Sequence, residues 1–126
     1  MLRSGYTSVA VFQYLHHAGD GTPYDNRAEM TLRCIASAHS VGIGFTALPV
    51  LDSFGGFGGV PAAGTQLRFA NSEDGFGRIM ESVVAACQAS GDHSFGIALH
   101  SLRAVRGESI QATVDQLHAD QSSAPV

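Results

Sequence analysis

Lysine and tryptophan are both absent from this chain, and its seven basic residues are all arginine. Eleven acidic residues bring the formal net charge to −4, and the arginines form no cluster along the sequence. Binding to nucleic acid or to an anionic membrane requires a basic patch, so we expect neither partner. No apolar run approaches the ~20 residues that span a bilayer. A basic segment followed by an apolar stretch is also missing, so secretion is not indicated.

Cysteine is scarce, and the pattern of its two occurrences is informative. Cys34 and Cys87 fall on the apolar faces of predicted helices, where a thiol usually serves as a small core residue. Two such cysteines, in a sequence without a secretion signal, suggest a reducing compartment. We therefore expect a cytoplasmic protein.

Stretches with strand character alternate with stretches of helical periodicity along the chain. β-branched and aromatic or apolar runs predict strands at residues 7–15, 43–51 and 95–99. Pro49 cannot donate to a sheet ladder, so we expect regular pairing to end near it. The alternation predicts an α/β protein with parallel strands and helical crossovers, because nothing in the sequence indicates a hairpin turn.

The helices are predicted from caps and from 3.6-residue spacing. Asn26 and Glu29 resemble a capping box, and Ser72 is expected to cap the second helix, which ends at Gly91. A third helix is predicted at residues 108–118, before a polar tail at 120–125. The predicted apolar faces are Ala28, Leu32, Ile35, Ala36 and His39 for the first helix, and Phe76, Ile79, Met80, Val83, Val84 and Cys87 for the second.

Three βα units are too few to close a barrel, which typically takes ~250 residues. Residues 1–5 look like the last turn of a helix that ends at Gly5, with nothing before it to form the helix. These two features suggest an internal fragment, in which Met1 is an internal methionine.

Polar residues follow all three predicted strands at their carboxyl ends, which lie on one side of a parallel sheet. This convergence favours a ligand site, although solvated strand ends would also be polar. The residues are Tyr14, His16 and His17 after the first strand, Asp52 and Ser53 after the second, and His100, Ser101 and Arg103 after the third.

The motifs give little support for a metal site, a phosphate-binding loop or a nucleophilic serine. Adjacent residues such as His16 and His17 point to opposite sides of an extended chain, so packing or hydrogen bonding is favoured over a shared metal ion. The glycine-rich loop at 52–71 has no G-x-G-x-x-G register and no following lysine, so its glycines more plausibly allow close backbone approach. Without a G-x-S-x-G motif, Ser53 and Ser101 are poor nucleophile candidates.

Several separated strings closely resemble formimidoylglutamate deiminase, of the amidohydrolase superfamily. They are GYT at 5–7, FQYLHH at 12–17, GIG at 42–44, LPVL at 48–51, GGFGG at 55–59 and HSLRAV at 100–105. The resemblance covers essentially the whole chain, residues 1–126, and implies strands two to four of a (β/α)8 TIM-type barrel.

The resemblance also implies a function. Enzymes of this family use one zinc ion to activate the water that attacks the formimino carbon of N-formimino-L-glutamate and releases ammonia, a step of histidine degradation. Their zinc ligands follow strands that this chain does not contain, so the resemblance assigns it no catalytic and no metal-binding residue. Tyr14, His100 and Arg103 match residues that contact the substrate, and the guanidinium of Arg103 suits a carboxylate.

Two positions depart from the family pattern. Asp52 stands where Tyr is often found, and Leu99 where Pro is common. Because Asp52 adds negative charge near a site for an anionic substrate, another amidohydrolase-superfamily deaminase is an alternative. A free-standing α/β module that binds a small carboxylate is a second, and a purely structural fragment that associates through its open sheet edges is a third. The complete enzyme is expected to be a homo-oligomer.

Overall fold

The computed structural model describes residues 1–120, so most of the predicted polar tail lies outside the described residues. Its elements alternate between strands and helices for most of the chain. In order they are β1 (Ser8–Gln13), α1 (Glu29–Val41), β2 (Gly44–Leu51), β3 (Phe54–Gly56), β4 (Val60–Pro61), α2 (Glu73–Ser90), β5 (His93–Phe95), β6 (Ala98–Leu99) and α3 (Gly107–Asp120), with short 3-10 helices at Leu2–Ser4 and Gly64–Arg68.

The central sheet is parallel, and β2 lies in its middle. β1 pairs with one edge of β2, and β5 and β6 pair with the other. The pairing of β1 with β2 ends at Gln13 and Pro49, as the missing donor of the proline predicts, while β2 continues to Leu51 against β6. Parallel strands adjacent in chain order are therefore confirmed, and the chain is a mixed α/β fold.

The prediction of one continuous strand at 95–99 is wrong, because the structure has two short strands there, β5 and β6. The amide of Gly96 still donates to the carbonyl of Ala47, at 2.9 Å. Ile97 is buried among Leu51, Phe76 and other core residues. The break therefore lets Ile97 enter the core between two short segments that both pair with β2.

The helices pack on the sheet through two hydrophobic clusters, one around Phe45 and Ile79 and the other around Leu51 and Phe76. The predicted stripe of α2 is buried or half-buried throughout. Ser72 caps this helix as predicted, because its Oγ accepts a hydrogen bond from the amide of Gly75 at 3.1 Å.

Helix α1 differs from its prediction in its cap and in part of its face. Ala28 is the N-cap residue, and the side chain of Asn26 instead accepts from the Ala28 amide at 2.9 Å, so the capping box is wrong. Ala36 and His39 of the predicted face are exposed, whereas Thr31 and Ala38 are buried. The buried face is thus rotated relative to the prediction.

The glycine-rich loop after β2 contains an antiparallel hairpin, β3–β4, which the sequence analysis missed. Gly58 and Gly59 both have positive φ angles at its turn, a conformation that glycine adopts at little cost. A Cβ atom at Gly55 would lie 2.9 Å from the carbonyl oxygen of Pro61. Close backbone approach, which was predicted for these glycines, is therefore required at Gly55.

Both cysteines are free thiols. Cys87 is buried, and Cys34 is half-buried against the same hydrophobic cluster, which confirms their packing role. Within residues 1–120, no helix is long and apolar enough to cross a membrane.

Candidate functional site

The carboxyl ends of β1, β2 and β6 lie at the same edge of the sheet, because β2 pairs in parallel with both of the others. Tyr14 directly follows β1, Asp52 follows β2 and His100 follows β6. Each side chain is therefore positioned by the last backbone hydrogen bonds of a strand. The amide of His100 itself donates to the carbonyl of Leu51 at 3.1 Å.

Side chains from all three strands meet at this edge around His100. The rings of Tyr14 and His100 are in edge-to-face contact, with centroids 5.9 Å apart. Nε2 of His100 lies 4.0 Å from Oδ2 of Asp52, and Nδ1 lies 3.0 Å from Oγ of Ser101. The structure thus brings together two of the three predicted substrate-binding residues, together with Asp52.

Arg103 lies in the turn after β6 and is exposed. This turn is held to the end of β2, because the amides of Ser53 and Phe54 both donate to the carbonyl of Ala104, at 2.9 and 3.0 Å. The positive charge of Arg103 acts on the carboxyl group of Asp52. The guanidinium is therefore close enough to lower the pKa of Asp52, while the side chain of Arg103 remains exposed.

Asp52 is the acidic group of the site, and its side chain is only 16% exposed. Burial raises the pKa of its carboxyl group, while the nearby charges of His100 and Arg103 lower it. The backbone amide of Phe54 lowers it as well, but the net direction is upward, so these three groups compensate only part of the cost of burying the carboxylate.

The histidine pair after β1 is part of the protein interior. Nε2 of His16 lies 3.0 Å from the carbonyl oxygen of Val50, and its ring contacts Phe76 edge-to-face. The amides of His16 and His17 both donate to the carbonyl of Arg68. These contacts give the pair a packing and hydrogen-bonding role that ties the first loop to the end of β2, as the sequence analysis favoured.

Known proteins match nearly the whole chain. Formimidoylglutamate deiminase of Pseudomonas aeruginosa is 44% identical over 120 residues, which is 95% of this chain and 26% of that protein. The resemblance to formimidoylglutamate deiminase is thereby confirmed. The crystal structure of an amidohydrolase from Brucella melitensis is 42% identical, with a TM-score of 0.87 over 95% of this chain and 27% of that one. No protein-family model matches.

The chain spans about a quarter of the length of each of these two relatives. This coverage fits the predicted fragment of a longer deiminase. By their names, one of these relatives is a deiminase and the other an amidohydrolase.

Amidohydrolases are typically metal-dependent, but the described residues do not fit a zinc site. Among residues 1–120, no group of three or more His, Cys, Asp or Glu side chains could hold a metal ion. A catalytic zinc ion usually needs three protein ligands, and Nε2 of His16 is already directed at the Val50 carbonyl. No step of the chemistry is therefore assigned to a metal held by this chain.

The sequence analysis placed Asp52 among the polar residues that converge at the strand ends, but it gave Asp52 no role in binding and gave Asn71 no part in the site. The structure places Asp52 within the cluster around His100. Asn71 is buried, and its backbone N–H donates to the backbone carbonyl of Asp52 at 2.7 Å. The position of Asp52 directly after β2 was the available signal; Asn71, at the end of a glycine-rich loop, gave none.

Proposed function

We propose that this chain supplies strands two to four, with their helices, of a (β/α)8 barrel that hydrolyses N-formimino-L-glutamate. Water would add to the formimino carbon, the bond from that carbon to its terminal nitrogen would break, and N-formyl-L-glutamate and ammonia would form. The 44% identity to the P. aeruginosa deiminase over nearly the whole chain is the observation that carries this proposal.

In this proposal Tyr14, His100 and Arg103 bind the substrate. Their placement supports the role, because the first two are in contact and the third lies in the turn that follows. Arg103 presents a guanidinium, which can form two parallel hydrogen bonds with a carboxylate. Tyr14, whose exposed fraction is 41%, can donate its hydroxyl to the same ligand.

The remaining chemistry would come from the rest of the enzyme. Zinc, held by ligands outside this chain, would activate the attacking water. We further propose that the complete enzyme is a cytoplasmic homo-oligomer that acts in histidine degradation. Its partner would be the small-molecule substrate, with no nucleic acid or membrane involved.

We expect Arg103→Met to raise the KM of the complete enzyme for N-formimino-L-glutamate about 10- to 100-fold. A charge-assisted hydrogen bond to the substrate contributes roughly 1.5–3 kcal/mol, which converts to that range. Steady-state kinetics of ammonia release measure the effect. Arg78→Met is the matched control, because Arg78 is exposed on α2. An unchanged kcat/KM in the Arg103 variant would show that this arginine is only a charge at the end of a strand.

The presence of an acidic residue at Asp52 favours a second candidate function, that of a different deaminase of the same superfamily. Its buried negative charge opposes binding of an anionic substrate at the place where the carboxylate would lie. Ammonia release from a panel of amidines and ring amines distinguishes the two candidates. The first requires that N-formimino-L-glutamate give the highest kcat/KM in the panel.

A further inference from the structure

Asp52 occupies the middle of the candidate site. It follows the central strand, with Tyr14 after the strand on one side and His100 after the strand on the other. Its backbone is fixed, because its carbonyl accepts from Asn71. The carboxylate is therefore held at the point where side chains from both neighbouring strands converge.

The carboxylate of Asp52 has acceptor capacity that its neighbours do not use in full. The backbone amide of Phe54 interacts with this carboxylate, but the 4.0 Å from Oδ2 to Nε2 of His100 exceeds the 2.7–3.2 Å typical of a hydrogen bond. An ionised carboxylate can accept about four hydrogen bonds, and burying one without enough donors is costly. The raised pKa of the group agrees with that incomplete compensation.

A glutamate-type ligand would present two different groups to this site. Its carboxylate suits Arg103 and His100, while the nitrogen on its α-carbon lies one carbon away and carries N–H donors. In N-formimino-L-glutamate that nitrogen belongs to a cationic amidine, and in L-glutamate it is an ammonium group. Asp52 is the acidic side chain placed beside the two basic residues, so it complements the second group.

We propose that Asp52 is a specificity-determining residue that accepts hydrogen bonds from the nitrogen on the α-carbon of the ligand. Through this contact the site selects amino-acid-type ligands over plain dicarboxylates. The inference rests on the proposed function, because it assumes that the ligand carboxylate binds at Arg103 and His100.

The test compares L-glutamate with glutarate, which is the same dicarboxylate without the α-nitrogen. Both are titrated calorimetrically into the complete enzyme and its variants, so the result does not require turnover. The measured quantity is the ratio of the dissociation constant for glutarate to that for L-glutamate. We expect Asp52→Asn to lower this ratio roughly tenfold, the loss of one charge-assisted hydrogen bond, and Asp52→Ala to lower it at least as much.

Controls separate a direct contact from a loss of folding. Asp115→Asn removes the same charge from exposed helix α3, where Asp115 accepts from Gln111, and should leave the ratio unchanged. Asp52→Asn should weaken L-glutamate binding while glutarate binds equally or more tightly, because a repelling carboxylate is gone. A structural defect would weaken the binding of both ligands to a similar extent.

The inference would be overturned if Asp52→Asn left the ratio of dissociation constants unchanged, either because both ligands bind equally more weakly or because neither affinity changes. Either result could coexist with normal hydrolysis of N-formimino-L-glutamate by the unmodified enzyme, which would leave the proposed function intact. Conversely, an enzyme that binds L-glutamate through Asp52 but releases no ammonia would contradict the proposed function alone.

Discussion

Acidification from about pH 7.5 to about pH 4.5 is expected to lower the free energy of unfolding by roughly 2–3 kcal/mol through His16 alone. This residue is 1% exposed, and burial lowers its pKa from 6.5 to about 4, with a partial opposing effect from its bond to Val50. Below pH ~6.5 the unfolded chain therefore binds a proton that the folded chain does not. Stability is full above that pH and falls progressively towards pH ~4.

Urea unfolding of the chain at several pH values measures this effect, and His16→Gln isolates it. Glutamine can still donate to the Val50 carbonyl but does not titrate, so the variant should lose stability less steeply between the same pH values. His118→Gln, on the exposed face of α3, is the control. Its free energy of unfolding should change with pH as steeply as that of the parent. If the free energy of unfolding fell equally steeply with pH in the His16 variant and in the parent, the loss of stability in acid would not come from His16.

Two other groups of the same region contribute to the pH dependence with opposite signs. Burial also lowers the pKa of His17, assisted by the charge of Arg27, so His17 adds to the loss of stability in acid. Asp52 acts in the other direction, because its raised pKa means that the folded state binds a proton more readily than the unfolded state. The comparison between variant and parent removes both contributions.

The parallel arrangement of the sheet could be predicted from the sequence because it follows from the alternation of strands and helices. The division of the third strand could not, since residues 95–99 form a continuous apolar run whose periodicity does not distinguish one strand from two. What divides it is a tertiary contact, the burial of Ile97 beside Leu51 and Phe76. The β3–β4 hairpin was missed for a related reason, because its glycines carry no alternating pattern.

The candidate site was predictable as a place but not as a set of contacts. Parallel strands fix where Tyr14, Asp52 and His100 must emerge, so their convergence follows from topology. The edge-to-face contact of Tyr14 with His100 and the 4.0 Å approach of Asp52 depend on side-chain rotamers. Whether His16 is exposed or buried also depends on a distant segment, because Phe76 of α2 packs against its ring.

Cys87 and most histidines of the described chain are poorly placed to hold a catalytic zinc ion. Burial raises the pKa of the Cys87 thiol to about 11, and the thiolate is the form that binds metal. His39 and His118 are exposed on helices, and His93 begins β5 at the opposite end of the sheet from the site. His17, His100 and Asp52 remain, but among the described residues no group of three or more His, Cys, Asp or Glu side chains could hold a metal ion, and a catalytic zinc usually has three protein ligands.

We therefore expect the purified 126-residue chain to bind zinc weakly and to release no ammonia from N-formimino-L-glutamate. Without a metal, the pKa of the attacking water returns from about 7 to the much higher value of bulk water, which removes the hydroxide available at neutral pH. An ammonia assay with added zinc measures the outcome, and the P. aeruginosa deiminase serves as the positive control. Turnover by the chain that a chelator abolishes and zinc restores would show that residues of this segment hold the metal, and would reverse the assignment of the zinc ligands to the rest of the enzyme.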